Sequence, residues 1–209
     1  MIWMSAGGSR IAVDVEYKVY VNGFRFASLI ASPGLERELA VGFMAANCIS
    51  PGLVSRVRRI GSSIFIAIKP EARGGKACRG GGAPAPASDA AEALRLLEDY
   101  ASIARRLGLA VHTAVLLHDD GVVCVYDVSR HSAVYKVVGV AAGRGLRGRV
   151  LAVTGRPSGG MVRAAAAAGI HAIVSPRRPL TSSLIEARVL GVAVYSAAPS
   201  TGAIKRYEV

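Results

Sequence analysis

The strongest constraint on how this chain folds is the regular exchange of helical and strand patterning after residue 127. Apolar spacing predicts a helix over 130–142, a strand over 150–154, a helix over 160–168, a strand over 172–175, a helix over 181–190 and a strand over 192–196. Successive αβ units bury their apolar faces by aligning the strands and covering the sheet with helices, which leaves ligand loops at the carboxyl ends of the strands. Upstream, Asp89 and Glu92 form a D-x-x-E helix start, with Leu94, Leu97, Ala101, Ala104 and Leu107 as the buried stripe and Gly108 as the stop. Strands over 111–117 and 122–128 then meet at Asp119-Asp120-Gly121. The expected class is α/β with a mixed, largely parallel sheet.

The N-terminal third reads as a smaller β-rich region. Asn22-Gly23 lies between Val19-Tyr20-Val21 and Phe24-Arg25-Phe26, the dipeptide a two-residue hairpin needs because both central residues take positive φ. Ser32 and Pro33 offer an N-cap and a first helical residue ahead of Leu35, Leu39 and Phe43. Ile64, Phe65, Ile66 and Ile68 mark another strand. From 70 to 88 the chain is rich in Gly and Pro, without apolar period, the composition of a functional loop. The expected organisation is 1–69 as the β-rich region with one helix, 70–88 as a Gly-rich loop carrying Cys78, and 89–209 as an α/β ligand-binding core.

A chain of 209 residues, 52% hydrophobic and 19% charged, has ample material for a packed core, which excludes global disorder. No apolar run approaches the roughly 18 residues that cross a bilayer, and the first ten residues lack a secretory pattern, so a cytoplasmic protein without a membrane partner is expected. The 26 cations exceed the 14 anions, a net charge of +12, and most of them are Arg. The guanidinium fork suits phosphate, although a GC-rich or heat-adapted source would also give this composition. Nucleic acid is not the expected partner, because few aromatics are present and no basic-aromatic motif occurs.

Two strand-to-helix loops carry phosphate-binding features. Thr154-Gly155-Arg156-Pro157-Ser158-Gly159-Gly160 aims backbone N–H groups and a positive helix end at an anion, with Arg156 as a clamp, and the segment from Ser175 through Arg177 and Arg178 to Thr181 repeats the arrangement. Neither matches a Walker or dinucleotide pattern, and an ordinary αβ turn with solvated arginines is the competing reading. Asp127-Val128-Ser129-Arg130-His131 is a polar cluster at a strand-to-helix joint, where Ser129 can cap, Arg130 can reach an anion and the helix dipole disfavours protonated His131. His112 begins a strand that could face the same cleft, whereas His118 and His171 read as structural.

Cys48, Cys78 and Cys124 are odd in number, widely spaced and without zinc-ligand or C-x-x-C spacing, so no disulfide framework is expected. Cys48 and Cys124 read as small buried hydrophobes. Cys78 lies between Lys76 and Arg79 on glycines, conditions that favour an accessible thiolate, or else a free thiol in a loop.

Together, E-R-E-L-A-V-G-F from Glu36, D-V-S-R-H-S-A from Asp127 with Lys136 following, T-G-R-P-S-G-G-M-V-R-A-A from Thr154, and A-A-G-I with the Ser/Thr segment after it resemble the FdhD proteins, the formate dehydrogenase accessory sulfurtransferases. The resemblance implies a cytidine-deaminase-like three-layer domain beside a smaller β-rich region, usually as a homodimer. It implies a sulfur carrier that accepts sulfane sulfur from a cysteine desulfurase as a persulfide on Cys78. The sulfur passes to a molybdenum or tungsten bis(pterin guanine dinucleotide), bound as substrate, for formate dehydrogenase or a related molybdoenzyme. The matching positions for holding it are His112, Arg130, His131, Thr154, Gly155, Arg156, Ser158, Ser175 and Thr181, and no structural metal is implied. Deaminase chemistry is not expected, because His112-Thr113-Ala114 puts Ala where H-x-E needs its glutamate.

The chain also departs from the family pattern. A loop resembling C-G-x-C-G reads Cys78-Arg79-Gly80-Gly81-Gly82, with Gly81 in the second place if Cys78 takes the first, and a shifted alignment would put Cys78 second. In the block around Asp127, Tyr126, Ser129, Ser132 and Tyr135 stand for Glu, Gly, Asn and Asp. Two readings follow: a sulfurtransferase if Cys78 is active, or a diverged nucleotide- or molybdopterin-binding protein without sulfur transfer.

Overall fold

A computed structural model describes residues 2–70, 78, 83, 85–197 and 203–207. It opens with an exposed antiparallel ribbon, β1 (Trp3–Ala6) and β2 (Ser9–Ala12). β3 (Val15–Val21) and β4 (Phe24–Ala31) form the expected hairpin, with Asn22 at φ 47° and Gly23 at φ 89°. Then come α1 (Glu36–Ala46), β5 (Val54–Ile60) and β6 (Ser63–Ile68). The four strands from β3 to β6 make one sheet in the order β4-β3-β6-β5, with β3 and β6 parallel. β5 escapes sequence reading because V-S-R-V-R-R-I does not alternate. Its exposed arginines suit an edge strand, where charge discourages further pairing.

α1 begins at Glu36 rather than beside Ser32-Pro33. Leu35 in the left-handed region (φ 58°) precedes the helix, and the Glu36 carboxylate accepts from Tyr17 Oη at 2.9 Å and Gly34 N at 3.1 Å. Ser32 is held instead by residues about a hundred positions downstream.

The second half contains α2 (Ala87–Arg106), β7 (His112–His118), β8 (Gly121–Asp127), α3 (Arg130–Arg144), β9 (Gly148–Val153), α4 (Gly159–Ala167), β10 (Ala172–Ser175), α5 (Thr181–Leu190), β11 (Ala193–Ala197) and β12 (Ile204–Tyr207). Its six-stranded sheet runs β12-β11-β10-β9-β7-β8. The sheet is mixed, as expected: β9, β10 and β11 are parallel and joined through α4 and α5, while β7, β8 and β12 run antiparallel to their neighbours. Strand alternation divides the core in two. Val115, Leu117, Val150, Ala152 and Val174 face α2, with Ala90, Ala93 and Leu97. Ala114, Leu116, Leu151, Val153 and Ile173 face the other way, into a cluster with α3, α4 and the inner face of the four-stranded sheet.

α2 does not use its D-x-x-E start. Pro86 stands at the N-cap, Asp89 bonds Arg149 Nη1 at 3.2 Å, and the helix ends at Arg106, leaving Leu107 exposed at the C-cap instead of in the stripe.

α1 and α3 cross with their backbones in contact. A Cβ on Gly42 would lie 1.9 Å from Tyr135 O, and one on Gly139 would lie 2.0 Å from Glu38 O. Only glycine permits this approach at both positions. The crossing brings the N-terminal sheet onto α3 and so onto the strand ends behind it.

Candidate functional site

At the carboxyl end of β9 the chain leaves the sheet under tight control. Thr154 N donates to Thr113 O at 3.1 Å, and Thr154 Oγ1 accepts from Thr113 N at 3.0 Å, extending the β7 contact beyond the strand. Gly155 follows because the Arg130 stem occupies the space of a side chain there, with Cδ 2.9 Å from where a Cβ would sit. The buried Ser175 at the end of β10 donates from Oγ to Gly155 O at 3.0 Å and accepts from Arg177 N at 3.0 Å. Two more bonds join the loops: Arg156 Nε to Arg178 O at 3.2 Å and Leu180 N to Pro157 O at 3.0 Å. The two sequence-predicted anion loops are therefore one connected structure.

The helix ends around it are differently capped. Ser129 caps α3 as expected, accepting from Ser132 N at 3.4 Å. Ser158 and Leu180, at the N-caps of α4 and α5, place no side-chain acceptor on their helices, and Ser158 Oγ is hydrogen-bonded to His131 Nε2 at 2.9 Å instead. Gly159 N, the first of α4, donates to Ser182 Oγ of α5 at 3.2 Å, and both helices direct their positive ends toward the joined loops. Thr181 is the exposed first residue of α5.

His131 and His112 are both held below the ordinary histidine range. Burial is the main cause for each, the Arg130 charge adds to it, and His131 also feels His112; Asp127 opposes the shift at His112. The helix dipole invoked from sequence acts in the same direction but is not needed. Near neutral pH both rings are thus hydrogen-bonding groups rather than cations, and Arg130 supplies the positive charge.

Beneath this surface is a polar anchor whose weight sequence reading missed. Asp127 is fully buried and Lys136 is 2% exposed; Nζ lies 2.6 Å from Asp127 Oδ2 and 2.7 Å from Ser32 O. The carboxylate also accepts from Ser32 N (3.1 and 3.2 Å) and Ser129 N (2.9 Å), and Val128 N donates to Ser32 Oγ at 3.2 Å. A buried charge persists only when paired and hydrogen-bonded, and here both partners are. The residues standing for the family's polar groups also serve the scaffold: Tyr126 Oη donates to Tyr100 O at 2.9 Å, Ser132 Oγ donates to Ile30 O at 2.6 Å, and the Tyr135 ring lies 6.1 Å from His131.

The cysteines depart from expectation. Cys48 is not a packed hydrophobe, and the chain does contain a disulfide, Cys48–Cys78. Sequence spacing could not show it, because the pairing arises where α1 ends beside α4. Cys78 Sγ lies 3.9 Å from Arg163 O and 4.0 Å from Ala45 O. Arg163 itself donates from Nε to Ala46 O at 2.8 Å and pairs with Glu186. Cys124 is free and half-buried on the α2 side of the sheet, where burial pushes its thiol up to about 11. Lys76 and Arg79, the expected thiolate stabilisers, lie outside the described residues. Among the described residues no group of three or more His, Cys, Asp or Glu could hold a metal ion, and no helix is long and apolar enough to cross a membrane.

The family model for the FdhD/NarQ family matches residues 58–202. The chain belongs to the FdhD/NarQ family. Among FdhD relatives, the sulfur carrier protein FdhD of Anaeromyxobacter dehalogenans strain 2CP-C is 29% identical over 234 residues, covering 87% of this chain and 81% of the relative. The protein of the same name in strain 2CP-1 is 30% identical with the same coverage. A crystal structure from Desulfotalea psychrophila, described as a formate dehydrogenase accessory protein, superposes with a TM-score of 0.75 at 19% identity, over all of this chain and 95% of that one. That likeness concerns the fold, and it extends through both sheets of this FdhD-family chain.

Proposed function

We propose that the protein is a sulfur carrier for formate dehydrogenase maturation, working in the cytoplasm as a homodimer. In this reading Cys78 accepts sulfane sulfur from a cysteine desulfurase. The joined loops hold a molybdenum or tungsten pterin guanine dinucleotide as the substrate to be sulfurated. The observation that carries the reading is the fusion of the β9–α4 and β10–α5 loops into one surface beside Arg130, bordered by the N-termini of α4 and α5, whose own N-cap residues make no side-chain cap bond. Such a surface complements a diphosphate bridge, with backbone N–H groups and guanidinium forks as donors. Arg130 and Arg156 supply charge; neutral His131 and His112 supply directional bonds; Gly155 lets the Arg130 stem cross the loop.

Calorimetry with GDP and AMP tests it. GDP should bind in preference to AMP, and Arg156→Ala should weaken GDP by about tenfold, the loss of one charged hydrogen bond. No heat with either nucleotide, or unchanged affinity in the variant, overturns the assignment.

A second reading keeps the binding surface without sulfur transfer. It is favoured by the use of Tyr126 and Ser132 as scaffold donors and by the engagement of Cys78 in a disulfide.

A further inference from the structure

We propose that Cys48 is the resolving thiol of this chain, the group that displaces sulfide from a persulfide on Cys78. The inference rests on the reading of Cys78 as the sulfur acceptor and adds a second reacting residue to it.

Three observations place Cys48 in that role. The first is the pairing itself: Cys48 and Cys78, 30 residues apart in sequence, have their sulfurs in bonding contact. The second is the backbone under Cys48. Cys48 N donates to Ala45 O and Ile49 N to Met44 O, both at 3.0 Å, the two bonds of a Schellman helix end, and Cys48 sits at φ 60°. That position belongs by preference to glycine, and a side chain there strains the backbone. In a chain with 24 glycines, a cysteine at this place offers a sulfur that glycine would lack. The third is location. Arg163, whose carbonyl lies 3.9 Å from Cys78 Sγ, is five residues along α4 from Ser158, about 7 Å of helix axis. Sulfide released at the pair emerges beside the loops that hold the substrate. Cys124 cannot substitute, because it packs into the cluster on the opposite side of the six-stranded sheet.

The chemistry balances in three steps. Cys78 thiolate attacks the outer sulfur of the donor persulfide, and the donor leaves as its thiolate, giving Cys78–S–SH. Cys48 thiolate then attacks the inner sulfur. The bond from Cys78 Sγ to the outer sulfur breaks, the Cys48–Cys78 disulfide forms, and the outer sulfur leaves with the electron pair and its proton as HS⁻. A dithiol reductant finally supplies two electrons and two protons and restores both thiols.

The full chain, reduced, loaded with cysteine and a cysteine desulfurase and then desalted, tests this. Sulfide is assayed and the cysteines are mapped by mass spectrometry. The parent should release sulfide without added thiol, leaving the Cys48–Cys78 disulfide. Cys48→Gly, which suits the backbone, should keep the persulfide on Cys78. Its sulfide release should fall at least about tenfold, since an intramolecular thiol acts at high effective concentration. A small dithiol should restore that release, which a merely structural role for Cys48 does not predict. Cys48→Ser, nearly isosteric, should behave alike, so that a folding defect in one variant is exposed by the other. Release at the parental rate from either variant, or a parental persulfide that never resolves to the disulfide, overturns the proposal. Failure of Cys78 to take up sulfur in the parent is a different result, because it removes the sulfur-carrier reading and the resolving role with it.

Discussion

Lys136→Met gives the most direct test of the anchor under the site. Methionine nearly fills the space of the lysine stem but removes the ammonium, which bonds Asp127 Oδ2 at 2.6 Å and Ser32 O at 2.7 Å. Asp127 would remain fully buried, with only the N–H groups of Ser32 and Ser129 to satisfy it. Removing one partner of a buried ion pair costs roughly 3–5 kcal/mol, a large share of the roughly 5–15 kcal/mol that holds a domain. Urea unfolding followed by circular dichroism should show a midpoint lowered accordingly at an unchanged slope. Because the cost comes from the stranded charge, Asp127→Asn in the same chain should recover at least about 2 kcal/mol relative to the sum of the single substitutions. A loss below about 1 kcal/mol in Lys136→Met, or strict additivity in the double variant, would refute the claim that the pair is a coupled anchor.

Gly139→Ala should cost more than about 3 kcal/mol or prevent folding, because its Cβ would meet Glu38 backbone at 2.0 Å; a melting curve like the parent's would contradict the crossing. Proton NMR should give His131 and His112 midpoints below the usual 6.5. Their neutral forms then favour the fold fully above pH 6.5, and that contribution is lost as pH falls through 6.5 towards the depressed folded values; midpoints at or above 6.5 would contradict their burial beside Arg130. Alkylation of the oxidised native protein near neutral pH should leave all three cysteines largely unlabelled, two in the disulfide and Cys124 raised to about 11. After mild reduction Cys78 and Cys48 should label ahead of Cys124, and the reverse order would contradict the assigned environments.

Features set by neighbours in sequence were legible without a structure. Asn22-Gly23 needed only its own φ preferences to mark the hairpin, and Ser129 marked the start of α3 because its acceptor serves an N–H three residues on. The helices and strands between residues 130 and 197 followed from apolar period to within a residue or two, whereas the edge strand β12, I-K-R-Y, was not expected. What escaped depends on tertiary packing. Ser32 looked like a helix cap, yet Asp127 claims its N–H and Lys136 its carbonyl. Asp89 looked like part of a capping box, yet Arg149 takes its carboxylate. Within the candidate site, Arg130, Gly155 and Ser175 stand in three separate segments of the sequence, and only the fold shows the stem of the first lying against the second while the third bonds the carbonyl of Gly155. Cys48 gave no signal at all, because its proximity to Cys78 exists only once α1 has packed beside α4.

The bond from Ser32 to Asp127 spans 95 residues, and that from Lys136 to Ser32 spans 104. At a synthesis rate of about 5–20 residues per second, Ser32 leaves the ribosome roughly 5–20 s before the groups that complete it. During that interval β3, β4 and α1 are made without the α3 surface that Gly42 is shaped to meet. Phe43 can already meet Phe26 of β4, but the side of α1 that packs on α3 has no native cover until translation reaches α3, so completion of this core is paced by the ribosome rather than by hairpin closure.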